Sequence, residues 1–200
     1  MLPKFQAYKY VLHESNIHHY TIESSIFLPH YKKLLPLVEA TTMTLFNIDI
    51  EVQSTLPAPK LFKAYNDMDK LAPKVEPETY KSIEIIKGDG GPGTIRKFTF
   101  GDGLPFTNGK SKVDAIDTDN LSLSYTVFEG DILMGILDSA THHVKFIPSA
   151  DGGSTYKHTI VNKCKGDNKL TDDHVKLAKE SFTKTFKAIE AYIKANPNAY

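Results

Sequence analysis

The C-terminal stretch limits the possible folds most. After Thr171, the residues Val175, Ala178, Phe182, Phe186, Ile189 and Ile193 recur at spacings of three and four, which places them in one apolar stripe along a long helix. Thr171 supplies a cap, Asp172 and Asp173 put negative charge in the first turn, and Pro197 with Asn198 ends the helix. Nothing upstream has a comparable helical period. A single long amphipathic helix must bury its stripe against the strands that precede it, so the expected class is α+β. One helix cannot easily fill the concavity of a large curved sheet. A cavity is therefore expected between them, lined by Phe98, Phe100, Leu123, Tyr125, Phe182 and their neighbours. Periodicity leaves a fully packed core open as the alternative.

The strands are legible by alternation. Phe46, Ile48, Ile50 and Val52 alternate with Asn47, Asp49, Glu51 and Gln53, the pattern of a half-buried strand with one wet face. Short helical pieces are expected over 57–65, with proline near the start, and over 69–75, closed by Pro77. Further strands are expected over 82–86, 110–117, 121–129, 141–147 and 154–165. Asp117-Thr118-Asp119-Asn120 and Asp151-Gly152-Gly153 mark turns between them. Strands returning at this spacing without long helices between them predict an antiparallel meander.

Gly88, Gly90, Gly91 and Gly93 put four glycines into six positions. A phosphate-binding Walker loop would run into a helix through Gly-Lys-Ser/Thr, but here Thr94-Ile95-Arg96-Lys97-Phe98-Thr99-Phe100 reads as a strand and Pro92 sits inside the loop. No helix opens after these glycines, as a dinucleotide fingerprint requires. A tight hairpin turn is the expectation. On the strand that follows, Arg96, Phe98 and Phe100 share one face, the more aromatic and so the inner one. Arg96 is the only arginine in the chain. A guanidinium among aromatic rings needs a carboxylate, ordered water or an anionic ligand, which makes Arg96 a candidate anchor at the end of an apolar pocket. The alternative is a rim arginine whose head reaches solvent. His142 shares its strand face with Val144 and Phe146 and is a candidate polar cavity residue.

Length and composition set the remaining bounds. Two hundred residues suit one domain with a sizeable core. Twenty-four basic residues balance twenty-four acidic ones, so nothing favours electrostatic capture of nucleic acid or an anionic membrane. Cys164 is the only cysteine, which rules out an intrachain disulfide and any zinc site built on paired cysteines, and fits a reducing compartment. No run approaches the roughly 18 apolar residues of a membrane span. Residues 1–42 contain His13, His18, His19 and His30, half of the histidines, and no glycine. They are expected to form a poorly ordered extension outside the domain, which begins near Met43. His18-His19 lacks carboxylate or cysteine partners at ligand spacing, so no metal site is expected.

Three segments resemble a known family. Gly88-Asp89-Gly90-Gly91-Pro92-Gly93-Thr94-Ile95, the strand pair around Tyr125-Thr126-Val127-Phe128-Glu129-Gly130, and Lys187-Ala188-Ile189-Glu190-Ala191-Tyr192-Ile193 are similar to the birch-pollen-allergen family, the plant pathogenesis-related proteins of class 10. The resemblance spans residues 43–200. It implies a seven-stranded antiparallel sheet wrapped around the C-terminal helix, two short helices closing one end, and an internal cavity. The implied partner is a small hydrophobic ligand such as a flavonoid, cytokinin, fatty acid or abscisic-acid-like molecule. The expected contacts are Arg96, Phe98, Phe100, Phe106, Leu123, Tyr125, His142, Val144 and Phe182. The expectation is a monomeric defence-related protein of the cytoplasm, and also the nucleus, with no cofactor and no membrane or nucleic-acid partner.

The resemblance implies three other activities. Abscisic acid receptors of the same superfamily inhibit a protein phosphatase and carry a lysine at the position of Arg96, but clear counterparts of their gate and latch motifs are missing here. Ribonuclease activity ascribed to some members would fall on Asp138, where the family usually has glutamate, and on Glu190 and Tyr192. Relatives in alkaloid biosynthesis use a cavity lysine and carboxylates for condensation, and no lysine is nominated here. For Glu190 the expected role is a carboxylate tying the helix to the sheet.

Overall fold

The computed structural model describes residues 17–20 and 43–200. One antiparallel sheet carries the fold. Its strands are β1 (Ile17–Tyr20), β2 (Met43–Ser54), β3 (Tyr80–Lys87), β4 (Ile95–Phe100), β5 (Asn108–Asp117), β6 (Ser122–Glu129), β7 (Leu137–Pro148) and β8 (Ser154–Cys164). They lie in the order β1-β2-β8-β7-β6-β5-β4-β3. The run from β3 to β8 is a meander, and β2 closes onto β8 from Leu45–Lys163 to Ser54–Ser154. The seven expected strands are β2 to β8. An eighth, β1, pairs with Met43 to Phe46 at the β2 edge. Apart from these four residues, the expected 1–42 extension lies outside the described residues.

Two short helices, α1 (Ala58–Asn66) and α2 (Met68–Val75), fill the connection from β2 to β3. The long helix α3 (Asp172–Ala195) follows β8, with Thr171 and His174 forming a reciprocal cap at its start. Strand limits shift modestly from expectation. β7 begins at Leu137 rather than near 141, and Leu121 leaves β6 because its φ of 50° suits a turn.

The glycine-rich stretch is the β3–β4 hairpin. Gly88, Gly90 and Gly93 take positive φ, at 95°, 105° and 88°. At Gly88 an added Cβ would lie 2.7 Å from the Thr94 backbone, while Thr94 is buried and its Oγ1 accepts from the Gly90 N–H. Gly88→Ala is expected to cost about 1–3 kcal/mol of stability through backbone strain, with further cost from that clash, read as a lower denaturant midpoint.

The core lies between the concave face of the sheet and the helices. Phe186, Ile189 and Ile193 of α3 are fully buried against Ile48, Phe146 and Tyr156, with Leu61, Phe62 and Tyr65 of α1 packed beside them. Two buried carboxylates tie α3 to its surroundings. Glu76 accepts hydrogen bonds from Thr79 (2.9 Å) and Thr185 (2.6 Å) and pairs with Lys184. Glu190 accepts from Ser54 (2.7 Å), Lys187 (2.9 Å) and Lys194 (3.1 Å). Both ties lie at or beyond Lys184, and every fully buried apolar residue of α3 lies beyond Thr185. The helix is therefore anchored by its C-terminal half, and its N-terminal half is left to roof the interior.

A roofed cavity between sheet and helix

A cavity of about 180 Å³, measured as the space open to the centre of a water molecule, lies under the N-terminal half of α3. One water needs roughly 10–15 Å³ by the same measure, so this is a chamber rather than a packing defect. The chamber follows from the sequence. Strands β4 to β8 alternate inward and outward residues, and their inward rows line its floor. The α3 stripe that seals the core at Phe186 borders open space at Ala178 and Phe182.

All nine residues expected to contact a ligand line this chamber: Arg96, Phe98, Phe100, Phe106, Leu123, Tyr125, His142, Val144 and Phe182. Phe98 and Phe100 stack at 5.9 Å, and Phe106 meets Phe100 edge-on at 5.1 Å, giving one apolar wall. Opposite it, Tyr125 and His142 stack flat at 4.5 Å. The glycine-rich residues Gly88, Gly90, Gly91 and Gly93 are not among the lining residues.

Arg96 is half-buried. It lines the chamber, and its buried Nε has no hydrogen-bond partner. Directly across from it on β5 is Ser111, 1% exposed, whose buried Oγ is also without a partner. Buried polar atoms are nearly always satisfied, so two orphans facing each other in one chamber point to a missing partner. The Tyr125 hydroxyl is pushed well above its ordinary pKa by burial, and the Arg96 charge works against that shift.

Sequence reasoning missed Ser111, Tyr156, His158 and Asn162. The three β8 residues were accessible by the alternation that identified His142. Ser154, Tyr156, His158, Ile160 and Asn162 all point inward at a period of two.

The ribonuclease constellation does not assemble. Glu190 docks on Ser54, which pairs with Ser154 at one end of β8, while Asp138 lies 3.7 Å from Lys163 at the other. The nine residue steps from Ser154 to Lys163 separate them by roughly 30 Å at 3.3 Å per residue. Tyr192 is engaged by Lys74, which donates to its hydroxyl at 2.8 Å. Glu190 is a structural carboxylate. Burial works to raise its pKa, but hydrogen bonds from Ser54, Lys187 and Lys194 outweigh that and hold it at about 2. A folded value below the unfolded one stabilises the protein above pH about 4.5, and that contribution is lost as pH falls towards 2. We expect about 1–3 kcal/mol to disappear over this window, less than the full shift because both lysines are half exposed and screened. Glu190→Gln should flatten that part of the stability–pH curve, measured by urea unfolding.

Among the lining residues, Arg96 is the only lysine, arginine, aspartate or glutamate. The chamber thus offers no amine for Schiff-base chemistry and no carboxylate pair.

The comparisons agree with this architecture. The family model described as "Pathogenesis-related protein Bet v 1 family" matches residues 43–196. A root allergen protein of Taraxacum officinale is 61% identical over 152 residues, covering 76% of this chain and 97% of the relative. Major allergen Pru ar 1 of Prunus armeniaca is 46% identical over 159 residues, covering 79% and 99%. The crystal structure of Ara h 8.0201 superposes with a TM-score of 0.67 at 36% identity, covering 76% of this chain and 99% of that one. Norcoclaurine synthase of Thalictrum flavum, solved with dopamine and hydroxybenzaldehyde, shares the fold with a TM-score of 0.64 at 19% identity, covering 86% and 98%. On the match over residues 43–196 and the relatives at 61% and 46% identity, the chain belongs to the pathogenesis-related protein Bet v 1 family.

Proposed function

We propose that this protein binds a small, flat, hydrophobic molecule carrying an acidic group, with the ring system in the chamber and the anion on Arg96. The observation that carries the reading is the pair of orphaned polar atoms, Arg96 Nε and Ser111 Oγ, in a chamber whose lining includes the apolar Phe98, Phe100, Phe106 and Leu123. Burial of the rings supplies most of the affinity, at roughly 25 cal/mol per Å² before ordering costs. The guanidinium supplies selection, because its planar fork matches a carboxylate. Flavonoids, cytokinins, fatty acids and abscisic-acid-like compounds are the candidate classes, and acids among them suit Arg96 best. We place this activity in plant defence and in a reducing compartment, in keeping with the pathogenesis-related relatives and the buried free thiol of Cys164.

Calorimetric titration of the full chain with 2-naphthoate tests the reading, with methyl 2-naphthoate as the neutral counterpart. Saturable one-to-one binding of both, in mutual competition and tighter for the acid, is expected. If neither compound saturates, the carrier reading is wrong.

A further inference from the structure

The chamber has a second polar group, three strands from Arg96, that anion binding leaves unused. His142 Nδ1 lies 2.9 Å from His158 Nε2, and His158 Nδ1 lies 2.8 Å from the Tyr156 hydroxyl. The three side chains come from adjacent strands, His142 from β7 and the other two from successive inward positions of β8. All are buried, at 5%, 1% and 0% exposure. Their rings are held in place. His142 lies flat on Tyr125, Phe182 meets both imidazoles edge-on at 5.4 and 4.6 Å, and Tyr156 stacks on Phe186 at 4.6 Å. Among the described residues His142 Nε2 has no hydrogen-bond partner, and His142 lines the chamber.

Counting protons shows what this row can do. Burial holds both imidazoles below their ordinary pKa, His158 at about 3, so each ring carries a single N–H at neutral pH. With the phenol, the row holds three protons, and its two internal hydrogen bonds use two of them. The third must sit at one end. If the tyrosine donates to His158 Nδ1, then His158 Nε2–H donates to His142 Nδ1, and His142 Nε2–H points into the chamber as a donor. If the row runs the other way, both rings carry their proton on Nδ1, the tyrosine accepts, and His142 Nε2 presents a bare lone pair.

We propose that His142 Nε2 is a ligand-binding group of reversible polarity, accepting from a ligand hydroxyl in one arrangement and donating to a ligand carbonyl in the other. His158 and Tyr156 are its positioning residues, since they keep the row hydrogen-bonded in both arrangements. Passing from the donor to the acceptor arrangement releases one proton to chamber water at His142 Nε2. Protons then shift along the two hydrogen bonds, and the Tyr156 oxygen takes one up. The count stays at three and the charge at zero. Tyr65, which lines the same chamber and is hydrogen-bonded to the Tyr156 hydroxyl, delivers that proton from chamber water.

The proposal rests on the carrier reading and narrows its ligand class. Arg96 is on β4 and His142 on β7, three strands apart, or roughly 14 Å along the sheet and less across its concave side. The fitting ligand is a fused or linked aromatic acid with a hydroxyl or carbonyl at the end remote from the acid, and the site accepts either.

The test is nitrogen NMR of the full chain labelled with 15N-histidine, using 6-hydroxy-2-naphthoate and 6-acetyl-2-naphthoate as probes, with no substitution needed. In the ligand-free protein, a scalar coupling across the hydrogen bond should link His142 Nδ1 to His158 Nε2. Saturation with the hydroxy acid should place the protons of both rings on Nδ1, and saturation with the acetyl acid should move both to Nε2. A merely structural pair would keep one tautomer with both probes. That result, or a change in only one ring, or no coupling, overturns this proposal while leaving the carrier reading intact. Failure of one probe to bind saturably overturns this proposal, because the site then does not accept both groups, and failure of both overturns the carrier reading as well.

Discussion

Phe186→Ala is expected to lower the unfolding free energy by about 3–5 kcal/mol, enough to unfold a large share of a marginally stable domain on mild warming. The ring is fully buried, stacks on Tyr156 at 4.6 Å and lies beside Tyr65 at 6.4 Å, in a core where α1, α3 and the sheet all meet. Removing it leaves a void that neighbours on three sides cannot collapse into, because Tyr156 and Phe146 hold each other in place. Phe182→Ala, one turn earlier on the same stripe, should cost only about 1–2 kcal/mol. Its ring already borders open space, so truncation enlarges an existing chamber instead of creating one. Urea unfolding of the two variants checks the contrast. Equal losses would mean that the roof of the chamber is packed as tightly as its base.

Arg96→Ala is expected to weaken 2-naphthoate binding about 10- to 100-fold, or 1.4–2.8 kcal/mol, the range of a hydrogen bond to a charged group. The methyl ester should change by less than about threefold, because its rings meet the same aromatic wall. Arg96→Lys keeps the charge but loses the fork, and should recover only part of the acid's affinity. The ligand-free Arg96→Ala protein should be no less stable than the parent, since the guanidinium nitrogen it removes is buried and unpartnered. A structural arginine would behave oppositely, losing stability and weakening both ligands alike. Calorimetry with both compounds and unfolding without them separate the two outcomes.

The two halves of α3 explain why one stripe carries two roles. Glu76 fastens the helix at Thr185 and Ser54 fastens it at Glu190, both helix positions beyond its midpoint. These ties draw Phe186, Ile189 and Ile193 onto the sheet. Upstream, Ala178 and Phe182 border open space, and His142 and His158 sit beneath Phe182.

Much of this was legible in the residues. Helical spacing placed α3, and alternation placed Arg96, Phe98 and Phe100 on one inner face and His142 with Val144 on another. A period in sequence reports which side of an element is apolar, because that depends only on local geometry. It carries no record of how far the facing element stands off. The stripe from Val175 to Ile193 therefore reads as uniform, although only its second half is sealed. The orphaned Nε of Arg96 and Oγ of Ser111, the contact of His142 with His158, and the separation of Asp138 from Glu190 all depend on strand register and sheet curvature. These arise when distant segments pair, so only the tertiary structure decides them.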